Sequence, residues 1–212
     1  MKRLLLILSL FFAGNACCQT SEPAPQPTPP LTQKLAAKLS TELATKLAMK
    51  LATPDYVLMM RHTRAPGVGD PANFKLGDCK TQRNLSDEGI TQAKRIGQWL
   101  KQQGIQTAAV YASPWCRTSD TARLLGFGPV TPENALASTF EEKNSATLAP
   151  SDLPTFIQSA IKTKGSKALI LVTHQVNISA YSGVDTAAGE MVLIKLDQSG
   201  KMLSREVYPR PD

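Results

Sequence analysis

A chain of 212 residues, 42% of them hydrophobic, can bury the core of one α/β domain and leaves little for a second once its front end is set aside. Lys and Arg exceed Asp and Glu by seven, a moderate excess that suits an anionic ligand or surface. With 6% aromatic residues and no basic run interleaved with aromatics, the composition argues against a nucleic-acid groove.

Residues 1–18 read as a signal peptide. Lys2 and Arg3 form a positive start, Leu4 to Phe12 an apolar stretch too short to span a bilayer, and Gly14-Asn15-Ala16 a cleavage site of small residues. The mature chain is therefore expected to be exported to the periplasm, where it keeps an excess of five positive charges after Lys2 and Arg3 are lost. Cys17 and Cys18 stand where a lipid could be attached, which would anchor the protein to a membrane. Residues 19–33 form a linker, with Pro23, Pro25, Pro27, Pro29 and Pro30 among Ser, Thr and Gln. Leucines then recur every four residues from Leu31 to Leu51, with Lys34, Lys38, Lys46 and Lys50 each just before one, which predicts an amphipathic helix over 34–53 that Pro54 stops. A helix docked on the domain or acting as a spacer is the simpler expectation. Peripheral membrane contact through residues 31–53, or through lipidation, is the alternative.

Residues 54–212 form the main domain, in which strand and helix patterns alternate. Strands are expected at 56–61, 108–112, 168–173, 190–196 and 203–208, and helices at 87–103, 116–125, 152–163 and from about 176. The order predicts an α/β fold, a mainly parallel central sheet flanked by helices on both faces. Ser86 should cap the helix that starts at Asp87, and Gly104 should follow its end. Between the first strand and that helix lies a long loop, 64–84, rich in Gly, Pro, Asn and Asp.

Cysteine usage bears on the compartment. Outside the export segment only Cys79 and Cys116 remain, and a pair in an oxidising compartment can form one disulfide, with two reduced thiols as the alternative. Neither has a metal-spaced partner, so no metal site is expected.

The chemistry concentrates around the chain's two histidines. His62 closes the run Tyr56-Val-Leu-Met-Met-Arg61 and His174 closes Ala168-Leu-Ile-Leu-Val-Thr173, so both imidazoles should emerge at strand carboxyl ends, where open α/β sheets place their ligand sites. Arginines accompany them in Arg61-His62-Thr63-Arg64 and in Ser113-Pro114-Trp115-Cys116-Arg117 followed by Thr121-Ala122. With Leu85-Ser86-Asp87-Glu88-Gly89 and Gln92-Ala93 between them, these motifs in this order resemble the histidine phosphatase superfamily, the phosphoglycerate mutase-like phosphohydrolases, from about Val57 to about Leu196.

The resemblance implies that His62 takes the phosphoryl group while Arg61, Arg117 and His174 hold the phosphate; Arg64 stands where better-known members carry other residues and is a further candidate phosphate contact on its charge alone. It also implies a carboxylic acid after the middle motif that protonates the leaving group, and Glu142, in Phe140-Glu141-Glu142, is its best match, with Glu141 second. Elementary chemistry agrees. A phosphate monoester carries about −1.5 to −2 charges, guanidinium forks match its oxygens, and a neutral imidazole is the attacking form. Loose phosphoryl transition states need positioning and positive charge more than metal chemistry, so no cofactor is expected. Thr63 departs from the family's glycine, and the 64–84 loop departs from the sugar-phosphate mutases. The function expected is that of an exported phosphomonoesterase acting on small-molecule or glycan phosphates through phosphohistidine. The alternatives are a phosphate-binding module with little catalysis and a membrane-surface protein that works through its Lys/Leu helix.

Overall fold

In the computed structural model the described residues are 33, 46–140, 152–208 and 210–211. The signal peptide, the linker apart from residue 33, most of the expected Lys/Leu helix, Glu141 and Glu142 lie outside them. In chain order the elements are α1 (46–52), β1 (Tyr56–Arg61), a 3-10 turn (Cys79–Thr81), α2 (Asp87–Gln102), β2 (Ala108–Ala112), α3 (Cys116–Leu124), β3 (Val130–Pro132), a second 3-10 turn (Asn134–Leu136), α4 (Leu153–Thr163), β4 (Ala168–Thr173), α5 (Gln175–Ser182), β5 (Met191–Leu196) and β6 (Met202–Tyr208). Among the described residues no helix is long and apolar enough to cross a membrane.

The six strands form one sheet in the order β3-β2-β4-β1-β5-β6. β3, β2, β4 and β1 run parallel, and β5 is antiparallel to both β1 and β6. Connections that carry α2 and α3 join strands of the parallel part, as the alternating sequence pattern predicts. The period of two along the strands sorts their side chains onto two cores. Leu58, Met60, Ile170 and Val172 pack with Leu47 of α1, Ile96 and Leu100 of α2 and Ala122 of α3, while Val57, Met59, Leu169 and Leu171 pack with Ile157 of α4 and Ile178 of α5. β1 and β4 are therefore covered on both faces, which explains their unbroken apolar runs.

Two features depart from the sequence reading, and a third explains one of its glycines. β3 was not anticipated, because a three-residue edge strand ending in Pro132 carries too little pattern to register. Leu47 and Leu51 are buried in the main core, so the domain begins before residue 54 and the described end of the Lys/Leu helix is docked on it. Gly89 has a packing reason: a Cβ there would stand 2.1 Å from the Arg64 carbonyl oxygen, so only glycine lets the first turn of α2 lie against the chain leaving β1.

Candidate active site

Two adjacent parallel strands bring the histidines together. Arg61 of β1 lies opposite Thr173 of β4, and the ladder continues one residue further with the His62 amide donating to the Thr173 carbonyl at 3.0 Å. Residues 62 and 174 thus leave the sheet side by side, 112 positions apart in sequence, and their rings meet edge to face with centroids 5.6 Å apart. Both border a cavity of about 280 Å³ that Arg61, Arg83, Arg117, Asp70 and Trp115 also line. Val68, Phe140 and Val176 give its mouth an apolar lip.

Hydrogen bonds set the ring orientations. Nδ1 of His62 is 2.8 Å from the Thr63 carbonyl, which can only accept, so Nδ1 carries the proton and Nε2 carries the lone pair. Nε2 of His174 is 2.9 Å from the Ser113 hydroxyl, which the start of the Ser-Pro motif supplies from the end of β2. Burial above all pushes the His62 imidazole down to about 3, against the pull of the Thr63 carbonyl, and the guanidiniums of Arg117, Arg61 and Arg83 add to the effect. Burial, followed by Arg117 and the neighbouring His62, holds His174 well below the ordinary histidine range. Both rings are neutral at physiological pH.

Arg61 donates from Nη1 to the Thr186 carbonyl at 2.6 Å, and its buried Nε has no hydrogen-bond partner among the described residues. Arg117, on the first turn of α3, is paired with Asp70 at 2.9 Å, and the two side chains are only 4% and 6% exposed. Arg83 donates to the carbonyls of Gly69 and Ala65 at 2.8 and 2.5 Å and borders the cavity as a third guanidinium.

Arg64 does not join this group. Its carbonyl accepts from the Ser86 amide and its own amide donates to Gln92 Oε1, which docks its backbone on α2 and sends its exposed side chain to Glu88 at 3.1 Å. The third arginine at the cavity is therefore Arg83, whose place in a loop ahead of the Ser86 cap is also what an ordinary turn would show. Gln175 borders the cavity, while Asn177 donates to the Ala137 carbonyl at 2.7 Å, and His174 at the start of α5 makes no side-chain cap. Asn84 stays outside and donates to the Cys79 carbonyl at 2.6 Å. Thr63 fits in place of glycine without a positive φ, its amide donating to the Thr121 hydroxyl at 3.1 Å.

The 64–84 loop forms the remaining wall. A disulfide joins Cys79 to Cys116, with Cα atoms 5.7 Å apart, as the cysteine pairing predicts. The buried Gln82 accepts from the Cys116 amide at 2.9 Å, and Phe74 stacks on Trp115, whose ring in turn meets His174. Asp70 and Trp115 were missed as site residues in the sequence, since a lone Asp in a Gly/Pro loop and a Trp inside a motif's variable positions carry no pattern. Among the described residues no cluster of three or more His, Cys, Asp or Glu stands close enough to hold a metal.

Comparisons with known proteins agree with this geometry. Residues 57–140 match the family model of the histidine phosphatase superfamily (branch 1). Among solved structures, the chain is similar to the protein histidine phosphatase SixA complexed with tungstate, at 18% identity and a TM-score of 0.50 over 71% of this chain and 95% of that one. It is also similar to a mycobacterial glucosyl-3-phosphoglycerate phosphatase with inorganic phosphate, at 15% identity and a TM-score of 0.50 over 73% and 96%. No curated protein matches the chain. These identities speak for a shared fold, and over residues 57–140, which carry His62, the Ser-Pro motif and Arg117, the chain also matches the sequence pattern of the histidine phosphatase superfamily.

Proposed function

We propose that this protein is a phosphomonoesterase that works through a phosphohistidine on His62. The observation that carries the reading is the convergence of two neutral imidazoles and the Arg61 and Arg117 guanidiniums on one cavity. The lone pair of His62 Nε2 attacks phosphorus, the bond to the ester oxygen breaks, and the departing oxygen keeps the electron pair and takes a proton from an acid. Water then attacks phosphorus and gives a proton back to the carboxylate that served as the acid, the P–N bond breaks with its electron pair returning to Nε2, and phosphate, neutral His62 and the protonated acid result. Arg61, Arg117 and His174 hold the phosphoryl oxygens, and the buried Arg61 Nε is a donor that such an oxygen would satisfy. Glu142, followed by Glu141, is the proposed proton donor; both lie outside the described residues.

The substrate class we favour is a small phosphate monoester whose organic part rests on Val68, Phe140 and Val176. Export of the mature chain, with or without a lipid at Cys17 or Cys18, is part of the proposal. The Cys79–Cys116 bond supports an oxidising compartment. The test is hydrolysis of p-nitrophenyl phosphate by the wild type and His62→Ala, with acid-labile phosphoenzyme trapped on rapid mixing. The expected loss on substitution is at least about 10⁴-fold, together with loss of the trapped species. Equal turnover would exclude the reading, and phosphate binding without any trapped species would leave a binding module.

A further inference from the structure

Asp70 stands in the pocket, and the phosphoryl chemistry gives it no task. Its two carboxylate oxygens meet only N–H donors. Arg117 Nη1 lies 2.9 Å from Oδ1 and 3.0 Å from Oδ2, the Arg83 amide donates to Oδ1 at 2.9 Å, and Trp115 Nε1 donates to Oδ2 at 3.0 Å. With no acceptor beside it, Asp70 has nowhere to direct a proton of its own, which argues against a role as the acid for the leaving group.

The partner it holds is the one residue of the phosphate cradle that does not grow from a strand end. Arg117 projects from the first turn of α3 on a side chain with several rotatable bonds, and charge-assisted recognition of an oxyanion depends on the plane of its fork. Asp70 pins Nη1, and the Arg83 carbonyl accepts from the same nitrogen at 3.5 Å. The loop that carries Asp70 is in turn tied back to α3. Arg83 binds the Gly69 and Ala65 carbonyls, Gln82 accepts from the Cys116 amide, and the disulfide ends on Cys116, next to Arg117 in the chain.

We propose that Asp70 is a positioning residue for oxyanion capture: it fixes the Arg117 guanidinium in the orientation that receives the phosphoryl oxygens, and the 64–84 loop serves to deliver it. This rests on the cavity being a phosphate site. An opposing effect makes the claim falsifiable in sign. A carboxylate also repels an incoming dianion, so if repulsion outweighed orientation its removal would tighten phosphate binding.

The experiment measures inorganic phosphate binding by calorimetry, and steady-state hydrolysis of p-nitrophenyl phosphate, on the mature chain. Asp70→Asn is expected to weaken phosphate binding about 10-fold and raise KM by a similar factor, with kcat changed less than about 3-fold. In an Arg117→Lys background the same change should cost less than about 2-fold, because the fork it orients is gone. Unchanged or tighter phosphate binding overturns the proposal, and so does an equal loss in both backgrounds, which would mark a purely structural role. Should Asp70→Asn melt out, Trp115→Phe removes one donor to the carboxylate and is expected to weaken phosphate binding about 3-fold, again only when Arg117 is present. No effect there overturns the proposal equally. A wild type that binds no phosphate overturns the phosphate site itself, whereas wild-type binding without the expected mutant pattern overturns only the role of Asp70.

Discussion

One wall of the pocket is made of strand ends and the other of a loop, and the two are held by different forces. Arg61, His62 and His174 follow directly from β1 and β4, whose ladder and two-sided apolar burial leave the chain no freedom where it leaves the sheet. The 64–84 wall has one 3-10 turn and is held instead by a disulfide, a buried ion pair and side-chain hydrogen bonds to its own carbonyls. A strand wall stands as long as the core stands. The loop wall depends on a few named bonds and can be dismantled separately.

The largest effect is expected from opening the loop wall. Cys79 and Cys116 are separated by 37 positions, and closing a loop of that length stabilises by about 4 kcal/mol in the chain-entropy model. Cys79→Ala with Cys116→Ala should lower unfolding stability in urea by up to about that amount, with amide exchange rising in 64–84 while β1 and β4 stay protected. Uniform loss of protection across both walls would show that they are one cooperative unit.

The strand wall should announce itself in pH dependence. An unfolded histidine binds its proton near pH 6.5, whereas His62 in the folded protein does so only at about 3, and His174 is likewise lowered. Between those limits the unfolded state holds more protons at His62, so its contribution to stability is fully present above about pH 6.5 and is lost as pH falls toward 3, by up to about 1.4 kcal/mol per unit, and His174 acts in the same direction. His62→Asn should flatten the fall in Tm between about pH 6.5 and 4, and an unchanged slope would show that this ring titrates as it does in water.

The smallest effect belongs to the loop's tip. Val68 is 86% exposed and borders the cavity. Val68→Ser should raise KM for p-nitrophenyl phosphate about 2- to 4-fold and leave inhibition by inorganic phosphate unchanged, since only the organic part would rest there. A parallel change in phosphate inhibition would mean that the tip also shapes the oxyanion end.

How much of this was legible follows the same division. The runs 56–61 and 168–173 announce β1 and β4 because a strand buried on both faces must be apolar throughout, and His62, His174 and Arg61 come with them. Ser86 was readable as a cap because capping is local, and its hydroxyl does accept from the Gly89 amide at 3.2 Å. Arg64 misled because adjacency to His62 suggests a shared site, although the docking of its backbone on α2 turns it away. Asp70 and Trp115 could not be placed, since each owes its position to partners 13 to 47 residues distant.

By itself, then, the sequence determined the alternating α/β order, the two strands that end in histidine, the pair of cysteines and the motifs that resemble those of the superfamily. These are local, because periodicity, capping and motif spacing act over a few residues. Only the tertiary structure decided which arginines face the cavity, that the cysteines meet, and that a loop carboxylate holds Arg117. Those are matters of direction and distance between segments far apart in the chain, and no local pattern encodes where a long loop will fold back.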